Sequence, residues 1–227
     1  MLERLRRAAR DSVLETHPHY RTAIGVLGIT LSPILIFAWL LLAAEVESSI
    51  SAYYYTRLRD WFVGTLWVIG VFLFFYRYRP RDSGRARSKV EAVRTGDADA
   101  WLGIVAGLSA VVVALVPTPP GPRDLPPTIG GVHGAAAAIL FLCLALFPLL
   151  LFSQSQTRGP AYRIYGWIMI GLILLVVAYT FAPESLRQSL VPWRPILVLE
   201  TLLIVMFGVS WFEKGRELAA AASRSAK

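Results

Sequence analysis

The chain has 227 residues, of which 56% are hydrophobic and 17% charged, with a mean hydropathy of +0.54. Soluble domains reach an apolar share of only about 45–50% even when glycine is counted in, so a soluble globular domain is excluded. The net charge of +8 does not point to a nucleic-acid partner, because no basic stripe alternates with stacking aromatics; lysine and arginine gather instead beside apolar runs.

Residues 1–21 hold Arg4, Arg6, Arg7, Arg10 and Arg21. Leu2, Leu5, Ala9 and Val13 fall at near-helical spacing, which fits a short helix lying on a membrane surface as well as it fits a disordered basic tail. A first apolar run follows at 22–44. It is too long for a signal-peptide core, and the "AEVE" after it is a poor cleavage site, so it reads as a retained anchor.

The stretch "SSISAYYYTRLRDWFVG" (48–64) then leads into a second run, 61–78. Tyr53, Tyr54, Tyr55 and Trp61 suit an interfacial aromatic belt, though one tyrosine turned inward would have a hydrogen bond to give. Asp60 is placed to cap the helix that starts there. After the basic segment 79–99 come runs at 100–117 and 129–152, separated by the proline-rich "PTPPGPRDLPPT", which has too few backbone donors for a helix. Gly103 and Gly107, and likewise Gly130 and Gly134, form small-xxx-small pairs that favour close helix packing. Ser32-Pro33 and Pro148 predict kinks. The one cysteine, Cys143, lies inside the fourth run and reads as a packing residue, with no disulfide or thiolate metal site open to it. Runs at 164–182 and 195–212 complete the set.

Six runs of near-spanning length predict an all-α bundle of six transmembrane helices over 22–212, with 1–21 and 213–227 as tails. Eighteen of the 23 lysines and arginines fall in the tails and in alternate loops, and five in the remaining loops. The positive-inside rule therefore places both termini in the cytoplasm, and the Ala/Arg-rich composition makes a bacterial inner membrane the expected plasma membrane.

On that topology, Glu45, Glu47, Arg57, Arg59, Asp60, His133, Arg194 and Glu200 share a slab near the outer face. His133 is about 6 Å below the start of its helix at 1.5 Å per residue, and Glu200 lies at a similar depth. Ionisable groups inside spans usually face a bundle interior or a wet cavity. The functional reading is an outward-opening polar cavity lined by Glu45, Tyr53, Arg59, Asp60, His133 and Glu200, and the structural one is an ion-pair network holding the bundle in register. The inner halves of the helices hold almost no ionisable residue. No HxxxH or HxxE spacing supports a metal site, His17 and His19 lie on the other side from His133, and there is no GxSxG elbow or phosphate-binding glycine loop. No metal and no cofactor are expected.

"SISAYYYT" (49–56), "RDWFVG" (59–64), "GVHG" around His133 and "GVSWFEKG" (208–215) together resemble a family of uncharacterised bacterial six-helix membrane proteins, over nearly the whole chain. The resemblance implies a shared fold and brings no activity. The first outer loop is also similar to that of the Frag/autophagy-modulator six-span proteins, which share a Ser-Ile-Ser-like turn after the first helix. Ser51, Asp60 and His133 resemble part of the zinc-dependent site of the alkaline ceramidase/adiponectin-receptor superfamily, whose further intramembrane histidines this chain lacks.

The expected function is an integral membrane protein whose outer-leaflet cavity binds a lipid headgroup or small polar ligand, with Arg59 meeting an anionic group. The alternatives are a lipid hydrolase or transferase using His133 with Asp60 or Glu200 as acid and base, and a small proton-coupled carrier, which the apolar inner halves disfavour. The expected partners are membrane lipids, with a membrane-protein partner or a second copy of the chain also compatible.

Overall fold

The computed structural model describes residues 18–42, 46–76, 89–118 and 127–225. They form α1 (Pro18–Leu41), α2 (Arg59–Phe74), α3 (Lys89–Leu115), α4 (Pro127–Leu146), α5 (Gly159–Thr180), the short α6 (Glu184–Leu190) and α7 (Pro195–Ser225), with no strand among the described residues. The surface-helix reading of 2–14 and the candidate residue Glu45 lie outside the described residues.

Each predicted apolar run is matched by one long helix. Four of the stretches are long and apolar enough to cross a membrane: His19–Ala38, Thr128–Gln154, Gly159–Thr180 and Pro195–Arg224. The chain is thus of multi-pass membrane type. α2 has 16 residues, and the apolar part of α3 is Ala100–Leu115. Each is about 24 Å long, against a hydrocarbon thickness of about 30 Å.

The helices close into a ring in chain order. α1 packs on α2, α2 on α3, α3 on α4, α4 on α5, α5 on α7, and α7 returns to α1 in the most extensive contact of the set. The centre is filled by residues from five of them, among them Leu31, Leu35, Phe62, Leu66, Ile69, Ala110, Leu144, Leu203 and Phe207.

Glycine sets how closely two of these pairs approach. A methyl group on Gly208 of α7 would lie 2.5 Å from the Ile29 nitrogen and 2.7 Å from the Gly25 oxygen of α1. One on Gly107 of α3 would lie 2.5 Å from the Gly70 oxygen of α2, and one on Gly103 2.5 Å from the Leu73 oxygen. The predicted Gly103/Gly107 pair is therefore a true crossing. The Gly130/Gly134 reading needs correction: a Cβ on Gly134 meets nothing within 4 Å, because that face of α4 turns away from its neighbours.

The predicted kink at Pro148 takes the form of a π turn over Phe147–Leu151, followed by a 3-10 turn at Phe152–Gln154. A proline ring clashes with the carbonyl four residues back, and a widened turn relieves that clash. α7 runs past residue 212 without a break to Ser225.

Candidate functional site

One end of the ring gathers the loop 46–58, the end of α3, the start of α4 and the segment from the end of α5 to the start of α7. The tyrosine-rich stretch is held there by exchanged capping. The Ile50 N–H donates to Glu200 Oε2 at 2.6 Å, while the Leu197 N–H near the start of α7 donates to the Ser48 carbonyl at 3.1 Å. The loop thus satisfies an orphan amide of α7, and α7 satisfies one at the start of the 3-10 turn Ser51–Tyr55. Ser49 Oγ accepts from the Ala52 N–H at 3.1 Å. The Thr56 hydroxyl donates to the Tyr53 carbonyl at 2.8 Å and accepts from the Leu58 N–H at 3.1 Å, which turns the chain into α2.

The three tyrosines have three different roles. Tyr53 is 0% exposed and packs into the core, so it does not belong to an aromatic belt. Burial raises its phenol above the ordinary range, and its hydroxyl lies against the Glu47 backbone. The Tyr55 hydroxyl donates to the Thr118 carbonyl at 2.6 Å, tying this loop to the end of α3. Tyr54 receives Arg59, whose guanidinium stands 4.5 Å from the ring centre and donates to the Tyr54 hydroxyl at 2.9 Å.

The remaining candidates lie at this same end but do not converge. His133 is buried between α4 and α3, with Nδ1 2.6 Å from the Val116 carbonyl; a carbonyl only accepts, so Nδ1 donates. Arg59 and Asp60 are exposed. Asp60 is not the helix cap: Leu58 holds that position without a side-chain bond, and Asp60 sits in the first turn, where an acid still meets the helix dipole favourably. Among the described residues no hydrogen bond links His133 with Asp60 or Glu200. Beneath Glu200 the bundle encloses a cavity of about 30 Å³, room for about two waters. Its walls are apolar except at Ser51 and Glu200, and His133 is not among them.

A more open crevice at this end is one that sequence reasoning did not single out. It measures about 270 Å³ and is lined by Ser48, Ser49, Tyr179, Val191, Arg194, Pro195 and Ile196. Arg194 is held there in the left-handed backbone conformation (φ 48°), the one non-glycine residue with positive φ among those described. The following Pro195 restricts it further. Such a conformation costs about 1–3 kcal/mol and persists only where the surroundings enforce it. Arg194 Nη1 donates to the Glu47 carbonyl at 3.4 Å, and no carboxylate lies within ion-pair distance of it among the described residues. The Glu47 carboxyl is held above the usual range by burial, with Arg194 opposing that shift.

Next to the crevice lies an apolar groove of about 510 Å³ between α5, α6 and α7, and the two openings share Tyr179 and Pro195. The groove is further lined by Leu175, Ala178, Ala182, Leu186, Leu190, Trp193, Val198 and Leu199. α6, placed where a polar connector was expected, is amphipathic. Leu186 and Leu190 face the groove, while Glu184 is bonded by Arg187 and Gln188. Phe181 and Trp193 beside it are 83% and 76% exposed.

The opposite end holds a polar cluster built from the loop 153–163 and the segment after residue 212, outside the predicted apolar runs. Lys214 is 1% exposed, with Nζ 3.1 Å from Glu217 Oε2. Glu217 Oε2 also accepts from the Tyr162 hydroxyl at 3.0 Å, and Oε1 accepts from Thr157 at 2.8 Å and from Ser155. Glu213 Oε2 accepts from Arg158 at 2.6 Å and Tyr165 at 3.2 Å. A carboxylate offers about four lone-pair sites, and Glu217 fills that number with protein donors. This cluster is a clasp between α7 and the start of α5. Its sequence signal was the spacing of Glu213, Lys214 and Glu217, three and four residues apart on one helix face.

Among the described residues no group of three or more His, Cys, Asp or Glu side chains is placed to hold a metal ion. One family model matches, over residues 23–212, with the description "Protein of unknown function (DUF998)". No curated protein and no solved structure matches the chain.

Proposed function

The chain belongs to the DUF998 family, and from that premise we propose an integral membrane protein that crosses a plasma membrane six times and binds the oxyanion of a lipid headgroup or of a small polar ligand at its outer end. The matched span contains every residue of the Arg194 crevice, so the site lies within the family's own domain. The division of basic residues, eighteen to five, supports cytoplasmic termini and puts the crevice on the outer side.

One observation carries the reading. Arg194 lines an open crevice with no carboxylate within ion-pair distance among the described residues, on a backbone conformation that arginine adopts only at a cost. Arginine is the side chain best suited to fork onto a carboxylate or phosphate. Of the residues first expected to bind, Tyr53, His133 and Glu200 are engaged with main-chain groups of the protein itself. The crevice leaves the Arg194 fork, the Ser48 hydroxyl and the Tyr179 phenol to meet a ligand.

The test is ligand-induced stabilisation of the purified protein, with glycerol phosphate as the probe. The unaltered chain should melt at a higher temperature when the probe is present. Arg194→Gly should abolish that response without lowering the basal melting temperature, since glycine takes this conformation freely. Arg194→Lys should keep part of it. An undiminished response in Arg194→Gly would refute the reading.

A further inference from the structure

We infer that the occupant is an anionic lipid, bound with its headgroup at Arg194 and one acyl chain laid along the groove between α5, α6 and α7; this rests on the oxyanion reading of the crevice and names the ligand class for the same site. The polar crevice opens directly into the groove, because Tyr179 and Pro195 form walls of both. A free oxyanion needs no such extension. The groove alone, at about 510 Å³, falls within the roughly 300–1,000 Å³ of ordinary ligand sites.

Charge and polarity change in the right order along this path. Arg194 and Ser48 stand at one end, Tyr179 at the junction, and Leu186, Leu190 and Trp193 beyond it. Tyr179 suits a boundary between wet and apolar media, since its ring and hydroxyl belong to different ones. The exposed Phe181 and Trp193 flank the groove as interfacial aromatics do, so its depth is where a headgroup passes into its chains.

The experiment uses the delipidated full-length protein and native mass spectrometry, with phosphatidylglycerol, phosphatidylcholine and glycerol phosphate as probes. Ala178→Trp and Ala182→Trp each fill the groove from a different point, and their melting temperatures show whether each folds. The inference expects phosphatidylglycerol to be retained over phosphatidylcholine and over glycerol phosphate. It also expects either tryptophan to weaken phosphatidylglycerol retention by at least about tenfold while leaving glycerol phosphate binding unchanged. Retention of phosphatidylglycerol by both folded tryptophan variants at the level of the unaltered chain would overturn the inference, as would glycerol phosphate binding as tightly as the lipid. Neither outcome touches the Arg194→Gly result on glycerol phosphate, which judges the crevice on its own.

Discussion

Glu200 shows what a single charged residue in an apolar run conveys. Its flanks mark it as needing a partner inside the bundle, and side-chain candidates such as Arg194, Arg59 and His133 came first to hand. The partner is instead the Ile50 main-chain N–H, a group every residue possesses and no sequence pattern displays. His133 repeats the case with the Val116 carbonyl. Glu200→Leu should therefore destabilise the protein by about 1–3 kcal/mol, the cost of leaving a buried donor unmet, while Glu200→Gln keeps an acceptor and should lose clearly less. Denaturation in detergent reads the difference, and a Glu200→Leu variant as stable as the parent would remove Glu200 from this role. Arg194 is the opposite case. Its left-handed backbone is a property of the 3-10 turn before it and the proline after it, and its bond to the Glu47 carbonyl emerges only when the loop 46–50 is seen laid against α7.

At the scale of the helices, composition predicted where segments begin and end better than which faces meet. Gly103 and Gly107 pack as their spacing suggests, while Gly134 of the equally spaced Gly130/Gly134 pair faces open space, and the tightest approach involves Gly25, Gly28 and Gly208. Spacing identifies a face able to pack closely; the neighbour that uses it is decided by the ring order. Gly208→Ala should accordingly cost about 1–3 kcal/mol, because its new methyl meets main-chain atoms of α1 that have nowhere to move. Gly134→Ala should be neutral or slightly stabilising, since it adds helix propensity in open space. The pair measured side by side in the same detergent checks the argument, and equal effects would contradict it. The Lys214–Glu217 clasp belongs to the same scale. It joins two helices far apart in sequence through donors from Ser155, Thr157 and Tyr162, residues that look like an ordinary polar connector when read in line.

For the whole molecule, the proposed six-span topology puts positions 90 and 122 on opposite faces of the membrane, because α3 alone would cross between them. With Cys143→Ala as background, a cysteine introduced at 122 should react with an impermeant thiol reagent from outside, and one at 90 only after permeabilisation. Labelling of both from the same side would break the six-span topology and remove the outward placement of the crevice. The short apolar lengths of α2 and α3 make this the informative pair, since these are the two crossings with least hydrocarbon to match.

The sequence by itself determined the helical, multi-pass character of this protein, the position of its apolar runs, and the end at which its isolated acid and imidazole lie. Those follow from hydrophobicity and charge, which act locally and are written residue by residue. Only the tertiary structure decided that those residues serve main-chain groups, that Lys214 is buried in a clasp, and that the crevice lined by Arg194 adjoins an apolar groove. These depend on contacts between separate segments, some as far apart in sequence as Ser48 and Leu197, and on main-chain donors and acceptors that are the same at nearly every position of any chain.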